Sequence, residues 1–139
     1  MRALLDSSVL VAGLVPAQSG HDESLRQMNE PERVVFVHAL NETFATLTGG
    51  GLGFRVDANL AAKLIHERIV QRMQVIILDE AETSGALAAA RSHGVRGGAV
   101  YDYMHLIAAR KAGVEAIVTL NVGDFQHLVR TGDPRIELP

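Results

Sequence analysis

The chain contains no cysteine. Disulfides, thiolate nucleophiles and zinc–thiolate sites are thereby excluded together, and such a composition suits a reducing, cytoplasmic location. Tryptophan is also absent and aromatic residues make up only 4%, which leaves few stacking platforms for single-stranded bases. Positive charge is not in excess: 13 Lys and Arg against 16 Asp and Glu give a net charge of −3. No global field draws in nucleic acid, so any such binding must use local patches. No apolar run approaches the ~20 residues needed to cross a membrane. Met1 and Arg2 lead into a short apolar stretch broken by Asp6, Ser7 and Ser8, which does not read as a signal peptide. No membrane partner is expected.

What is present is a 47% hydrophobic chain of 139 residues, enough for one domain over 1–139 with a core of ordinary size. Ala3–Leu5 reads as a strand ending at Asp6, followed by a brief helix over Val9–Val15. Val34–Val37 is apolar without alternation, as a buried parallel strand requires. Asn41 suits a helix start, and Ala39, Leu40, Thr43, Phe44 and Leu47 recur near helical spacing until Gly49, Gly50, Gly51 and Gly53 end the pattern. Asp57 suits the cap of an amphipathic helix through Leu60, Leu64, Ile65 and Ile69. Val75–Leu78 predicts a third strand, Ala81 to Arg91 a helix closed at Gly94, and Tyr101 to Ala112 a helix stopped by Gly113. Ile117–Leu120 predicts a fourth strand, Asp124–Val129 a short helix, and Ile136–Leu138 a closing strand. Strands alternating with helices argue for a parallel sheet with helices on both faces.

The acids fall at informative places. Asp6 ends the first strand, Glu42 lies just over one helical turn past the second, Asp102 sits in a helix's first turn, and Asp124 follows the fourth strand. In open α/β sheets that edge is where ligands bind. Several carboxylates gathered there repel one another and raise at least one pKa, a conflict that Mg²⁺ or Mn²⁺ removes. Such ions activate water against phosphodiesters. Taken singly, each acid also suits a duller role as a helix cap, a favourable first-turn charge or a solvated residue. Ser7, Ser8, Thr119 and Asn121 can orient carboxylates or water, although such groups at strand ends often cap helices. His105 shares a helical face with Asp102, but no histidine pair has metal spacing and a zinc site is not expected. Arg91 and Arg96, and from another side Arg55, Lys63, Arg68 and Arg72, are the available phosphate contacts.

Four segments in order, Leu4-Leu5-Asp6-Ser7-Ser8-Val9-Leu10, Asn41-Glu42, Gly97-Gly98-Ala99-Val100-Tyr101-Asp102 and Val118-Thr119-Leu120-Asn121-Val122-Gly123-Asp124-Phe125, together resemble the PIN-domain family. Within it they look like the VapC toxins of type II toxin–antitoxin modules. The resemblance implies a three-layer α/β/α domain with a central, roughly five-stranded parallel sheet. It further implies an endoribonuclease dependent on Mg²⁺ or Mn²⁺, with metal ligands at Asp6, Glu42 and Asp102. For the fourth acid the family position falls on Asn121, with Asp124 the nearest carboxylate. Ser8 stands where many relatives carry asparagine, and Ser8, Thr119 and Asn121 become supporting residues. Implied partners are an RNA of the tRNA or rRNA class, a second copy in a homodimer, and a VapB-type antitoxin within a larger assembly. Apolar residues around Leu47, Leu52 and Phe54 are compatible with a groove for an antitoxin helix. Two other readings stay open: a non-catalytic PIN-fold module that binds protein or RNA, and a phosphoryl hydrolase with Asp6 as covalent nucleophile. The latter lacks a second acid two residues on, where Ser8 stands.

Overall fold

Short runs of apolar residues, bounded by polar or turn-forming ones, become the strands. The computed structural model describes residues 1–139. It contains β1 (Ala3–Leu5), β2 (Arg33–Phe36), β3 (Gln74–Ile76), β4 (Ala116–Val118) and β5 (Arg135–Glu137). They form one sheet in the order β3-β2-β1-β4-β5, every neighbouring pair parallel. The central strands β1, β2 and β4 are buried along their whole length, as strands covered on both faces must be.

Seven helices cover the sheet: α1 (Ser7–Leu14), α2 (His21–Asn29), α3 (Val37–Thr48), α4 (Ala58–Ile65), α5 (Glu80–Ala89), α6 (Ala99–Ala112) and α7 (Val122–Gln126). Alternate strand residues divide the core into two layers, because successive side chains in a strand point to opposite faces. Leu4, Val34, Phe36, Ile76 and Ile117 pack with Ala86 of α5, Leu106 of α6 and Phe125 of α7. Ala3, Leu5, Val35, Ala116 and Val118 pack with Leu10 of α1, Met28 of α2 and Ala39 of α3. The architecture is therefore the expected three-layer α/β/α, with a five-stranded parallel sheet.

Local chemistry sets the helix ends. The Asp57 carboxylate accepts the Asn59 and Leu60 N–H groups to open α4, and Asp79 with Glu82 forms a capping box on α5. Gly113 closes α6 at φ 64°, a left-handed conformation that favours glycine. Between α1 and α2 the backbone approach at Gly13 is close: a Cβ there would lie 2.3 Å from Met28 Sδ.

Other element ends shift by one to three residues from the sequence reading, as where α7 starts at Val122 rather than Asp124, and three departures are larger. Helix α2 was not anticipated; it buries only Ser24 and Met28, too little apolar surface to mark a period. Helix α3 begins at Val37 directly after β2, not at Asn41, because nothing between Phe36 and Asn41 breaks the chain. Leu47 is fully buried against Val11, Val15 and Ala61, so it cannot line an open groove. Leu52 packs on that cluster, and of the three only Phe54 is exposed.

Candidate metal centre

The path of the chain creates the site. From β1 it moves outward through β2 to β3, then crosses back to β4 on the other side of β1. The direction reverses between β1 and β4, and the carboxyl ends of those two strands flank the crevice in which open α/β sheets hold ligands.

Asp6 leaves β1 at that crevice and is only 4% exposed. It occupies the N-cap position of α1 but caps no backbone group with its side chain. Its Oδ2 instead accepts two hydroxyl protons, from Ser8 Oγ at 2.8 Å and from Thr119 Oγ1 at 2.8 Å. The backbone locks both donors in turn, since Leu120 N donates to Ser8 Oγ at 3.0 Å and Asn121 N to Thr119 Oγ1 at 2.9 Å. Asp6 is thus held by one oxygen while Oδ1 stays free for another partner. Ser8 and Thr119 act here as orienting groups, and Asn121 enters through its backbone; its side chain caps nothing.

Glu42 projects from α3 beside this carboxylate, half-buried. Burial pushes its pKa up, His105 opposes the shift, and Asp6 and Asp102 add to it. Fully buried His105, on α6, places Nε2 3.5 Å from Glu42 Oε1 and 3.9 Å from Asp6 Oδ1. Ligand atoms of Asp6, Glu42 and His105 all lie within 4.8 Å of one another. Glu42 Oε1 and His105 Nε2 are buried without any hydrogen-bond partner, a state that in native proteins calls for an explanation such as an ion. Hard carboxylate oxygens are the donors Mg²⁺ and Mn²⁺ prefer, so the residues present fit such a cation.

Asp102 lies in the first turn of α6, half-buried, with its pKa raised to about 6. Desolvation is the main cause, followed by repulsion from Asp6 and Asp124, with His127 pulling the other way. It therefore feels the same field, although it is not in the tight three-residue group. Asp124, in the first turn of α7, is exposed. The structure brings together Asp6, Glu42, Ser8 and Thr119, with Asp102 and Asp124 on the outer side. His105 was not counted as a member, since no histidine pair stands at metal spacing; its place on the same helical face as Asp102 was the available signal. A cavity of about 320 Å³ adjoins the centre, and its lining includes Ser8, Gln18, Thr46, Leu52, Leu120 and Asn121. Arg91 and Arg96 are exposed and form no ion pair, which leaves both available to phosphates. No helix is long and apolar enough to cross a membrane.

Comparison with known proteins agrees with this geometry. A family model described as "PIN domain" matches residues 3–130. A curated relative from Mycobacterium tuberculosis, named Ribonuclease VapC40, is 29% identical over 114 residues, which cover 81% of each chain. Among solved structures, Mycobacterium tuberculosis VapC20, described as a Sarcin-Ricin loop cleaving toxin, superposes with a TM-score of 0.71 at 19% identity. That match covers 95% of this chain and 99% of the other. VapBC-1 from nontypeable Haemophilus influenzae gives a TM-score of 0.61 at 17% identity, covering 99% and 98%.

Proposed function

The chain belongs to the PIN domain family, and we propose that it is a metal-dependent endoribonuclease, the toxin of a VapBC-type toxin–antitoxin pair. The observation that carries this reading is the convergence of Asp6 and Glu42 at the crevice between β1 and β4, with a buried carboxylate oxygen that nothing in the chain satisfies. The similarity to a protein named as a ribonuclease supports the substrate class, and the likeness to VapBC-1 supports an antitoxin partner.

In this proposal Asp6, Glu42 and Asp102 hold Mg²⁺ or Mn²⁺, and Asp124 forms the outer part of the site with Asn121. When bound, the ion supplies positive charge to the scissile phosphate and makes water a better nucleophile. The remaining work belongs to the chain. Ser8 and Thr119 donate to one oxygen of Asp6 and so fix the direction of the other. Glu42, beside Asp6, serves as a further ligand or as the base that orients the attacking water. Arg91 and Arg96 position the RNA backbone, and the adjoining cavity accepts a nucleotide beside the cleaved bond. The proposal treats 1–139 as one PIN-like domain that works in the cytoplasm as a homodimer on RNA of the tRNA or rRNA class.

The test is to incubate the purified protein, free of antitoxin, with structured RNA and Mg²⁺ or Mn²⁺, beside EDTA and Asp6→Asn controls. Cleavage at least a hundredfold above both controls is expected, with Asp6→Asn still folded by circular dichroism. Intact RNA in every lane, from folded protein that binds no metal, would favour a non-catalytic binding module.

A further inference from the structure

His105 is fully buried in α6, and its surroundings settle the role of its Nδ1. Nδ1 lies 3.0 Å from the Tyr101 carbonyl oxygen one turn earlier. A carbonyl only accepts, so Nδ1 is the donor, and Nε2 is the nitrogen left to face the carboxylates. Nε2 has no hydrogen-bond partner and faces Glu42 Oε1 at 3.5 Å and Asp6 Oδ1 at 3.9 Å. Glu42 Oε1 is unpartnered too, and both hydroxyl donors near Asp6 are committed to its other oxygen. Three ligand atoms thus converge with no hydrogen bond among them. The ring cannot easily turn away, because Phe36 and Phe125 pack against it edge-on at 5.2 and 6.4 Å.

We infer that His105 is a nitrogen ligand of the metal centre, acting through Nε2, and that it makes the centre prefer Mn²⁺ over Mg²⁺. The inference rests on the metal-dependent reading above and adds to its carboxylates a ligand of different character. Opposite ligands of a six-coordinate ion with bonds of ~2.1 Å lie about 4.2 Å apart and adjacent ones about 3.0 Å. The spacings of 3.5 and 3.9 Å from Nε2 lie within the ~4.2 Å that one ion can span, so small side-chain shifts bring each pair to a shared ion. A carbonyl that holds Nδ1–H is also the usual device by which proteins fix the tautomer and orientation of a metal-bound histidine. Imidazole is a softer donor than carboxylate: Mg²⁺ exchanges oxygen for nitrogen reluctantly, whereas Mn²⁺ accepts it. A proton on Nε2 is the competing occupant, and it would place an imidazolium where the ion is assigned.

The experiment uses the full chain without antitoxin and measures Mn²⁺ and Mg²⁺ affinities by calorimetry. Electron spin-echo spectra of the Mn²⁺ form complete it, with wild type, His105→Gln, His105→Asn and Asp6→Asn compared. Wild type is expected to show imidazole ¹⁴N modulation and to bind Mn²⁺ at least tenfold tighter than Mg²⁺. The His105 variants should lose the modulation and about tenfold or more in Mn²⁺ affinity, with less than a threefold change for Mg²⁺. Mn²⁺ that binds wild type in an Asp6-dependent way without ¹⁴N modulation overturns the assignment of His105 and leaves the carboxylate site standing. Modulation that persists in a folded His105 variant overturns it equally. Wild type that binds neither ion, or an Asp6→Asn variant that binds both as before, overturns the metal centre itself. The wild-type spectrum needs no substitution, so a misfolded variant cannot hide a negative result.

Discussion

Asp102 shows how much of the site's behaviour follows from one residue's surroundings. Folding raises its carboxyl from the ordinary 3.8 to about 6 by partial burial and by repulsion from Asp6 and Asp124. The folded chain therefore holds that proton more tightly than the unfolded chain does. This advantage is full below pH ~4 and is lost as pH rises toward 6. Thermal denaturation in EDTA should show stability falling across that window, and Asp102→Asn should flatten this part of the profile. A wild-type profile level between pH 4 and 6 would contradict the crowding of acids described here. At this scale the sequence was partly legible. Asp6 stood out because it ends the first strand, Glu42 because it lies just over one helical turn past the second, and Asp102 because it sits in a helix's first turn. What could not be read was the way Thr119 and Ser8 share one oxygen of Asp6, since that depends on two strands far apart in sequence being paired in register.

Strand β5 illustrates how side chains secure an element that packing alone holds weakly. It is an edge strand of three residues, none of them fully buried. The turn before it is clamped to α6 by Arg110, whose Nε and Nη2 donate to the two oxygens of Asp133 at 2.7 and 2.9 Å. Asp133 also accepts the Arg130 N–H at 2.8 Å. The Arg110 hydrogen bond is the main reason the Asp133 pKa lies below its ordinary value. Asp133→Asn should cost about 1 kcal/mol at pH 7, a figure kept small by solvent screening of the partly exposed arginine. Because the folded pKa is depressed, the loss should shrink as pH falls below the ordinary carboxylate range; urea denaturation of both proteins at pH 7 and pH 3 measures it. An equal loss at both pH values would argue against an ionic clamp. Elements were legible where punctuation was strong, as with Asp57 before α4 and Gly113 after α6. Helix α2 escaped because its residues are mostly polar, and its contact with α1 depends on the close approach at Gly13 rather than on an apolar stripe.

Across the whole molecule the centre joins layers that are otherwise separate. Asp6 comes from the middle strand of the sheet, and Glu42 from α3, whose Ala39 packs on one face. Asp102 and His105 come from α6, whose Leu106 packs on the other. The ion proposed above would bridge both helical layers at the open edge of the sheet and cancel the mutual repulsion of the acids. Since the unfolded chain cannot reproduce that arrangement, the proposed metal binding would stabilise the fold. At a concentration 100 times its dissociation constant, an ion that binds only the folded state contributes about 2.7 kcal/mol. For a chain of this length the melting temperature should then rise by roughly 10 °C. Scanning calorimetry with and without Mn²⁺ measures the shift, and in Asp6→Asn it should fall below about 2 °C, because the best-buried carboxylate of the group is gone. The comparison also separates this centre from ordinary surface binding. Ions condensed on exposed acids would leave the variant's shift equal to that of wild type, whereas an ion tying α3 and α6 to the end of β1 needs Asp6.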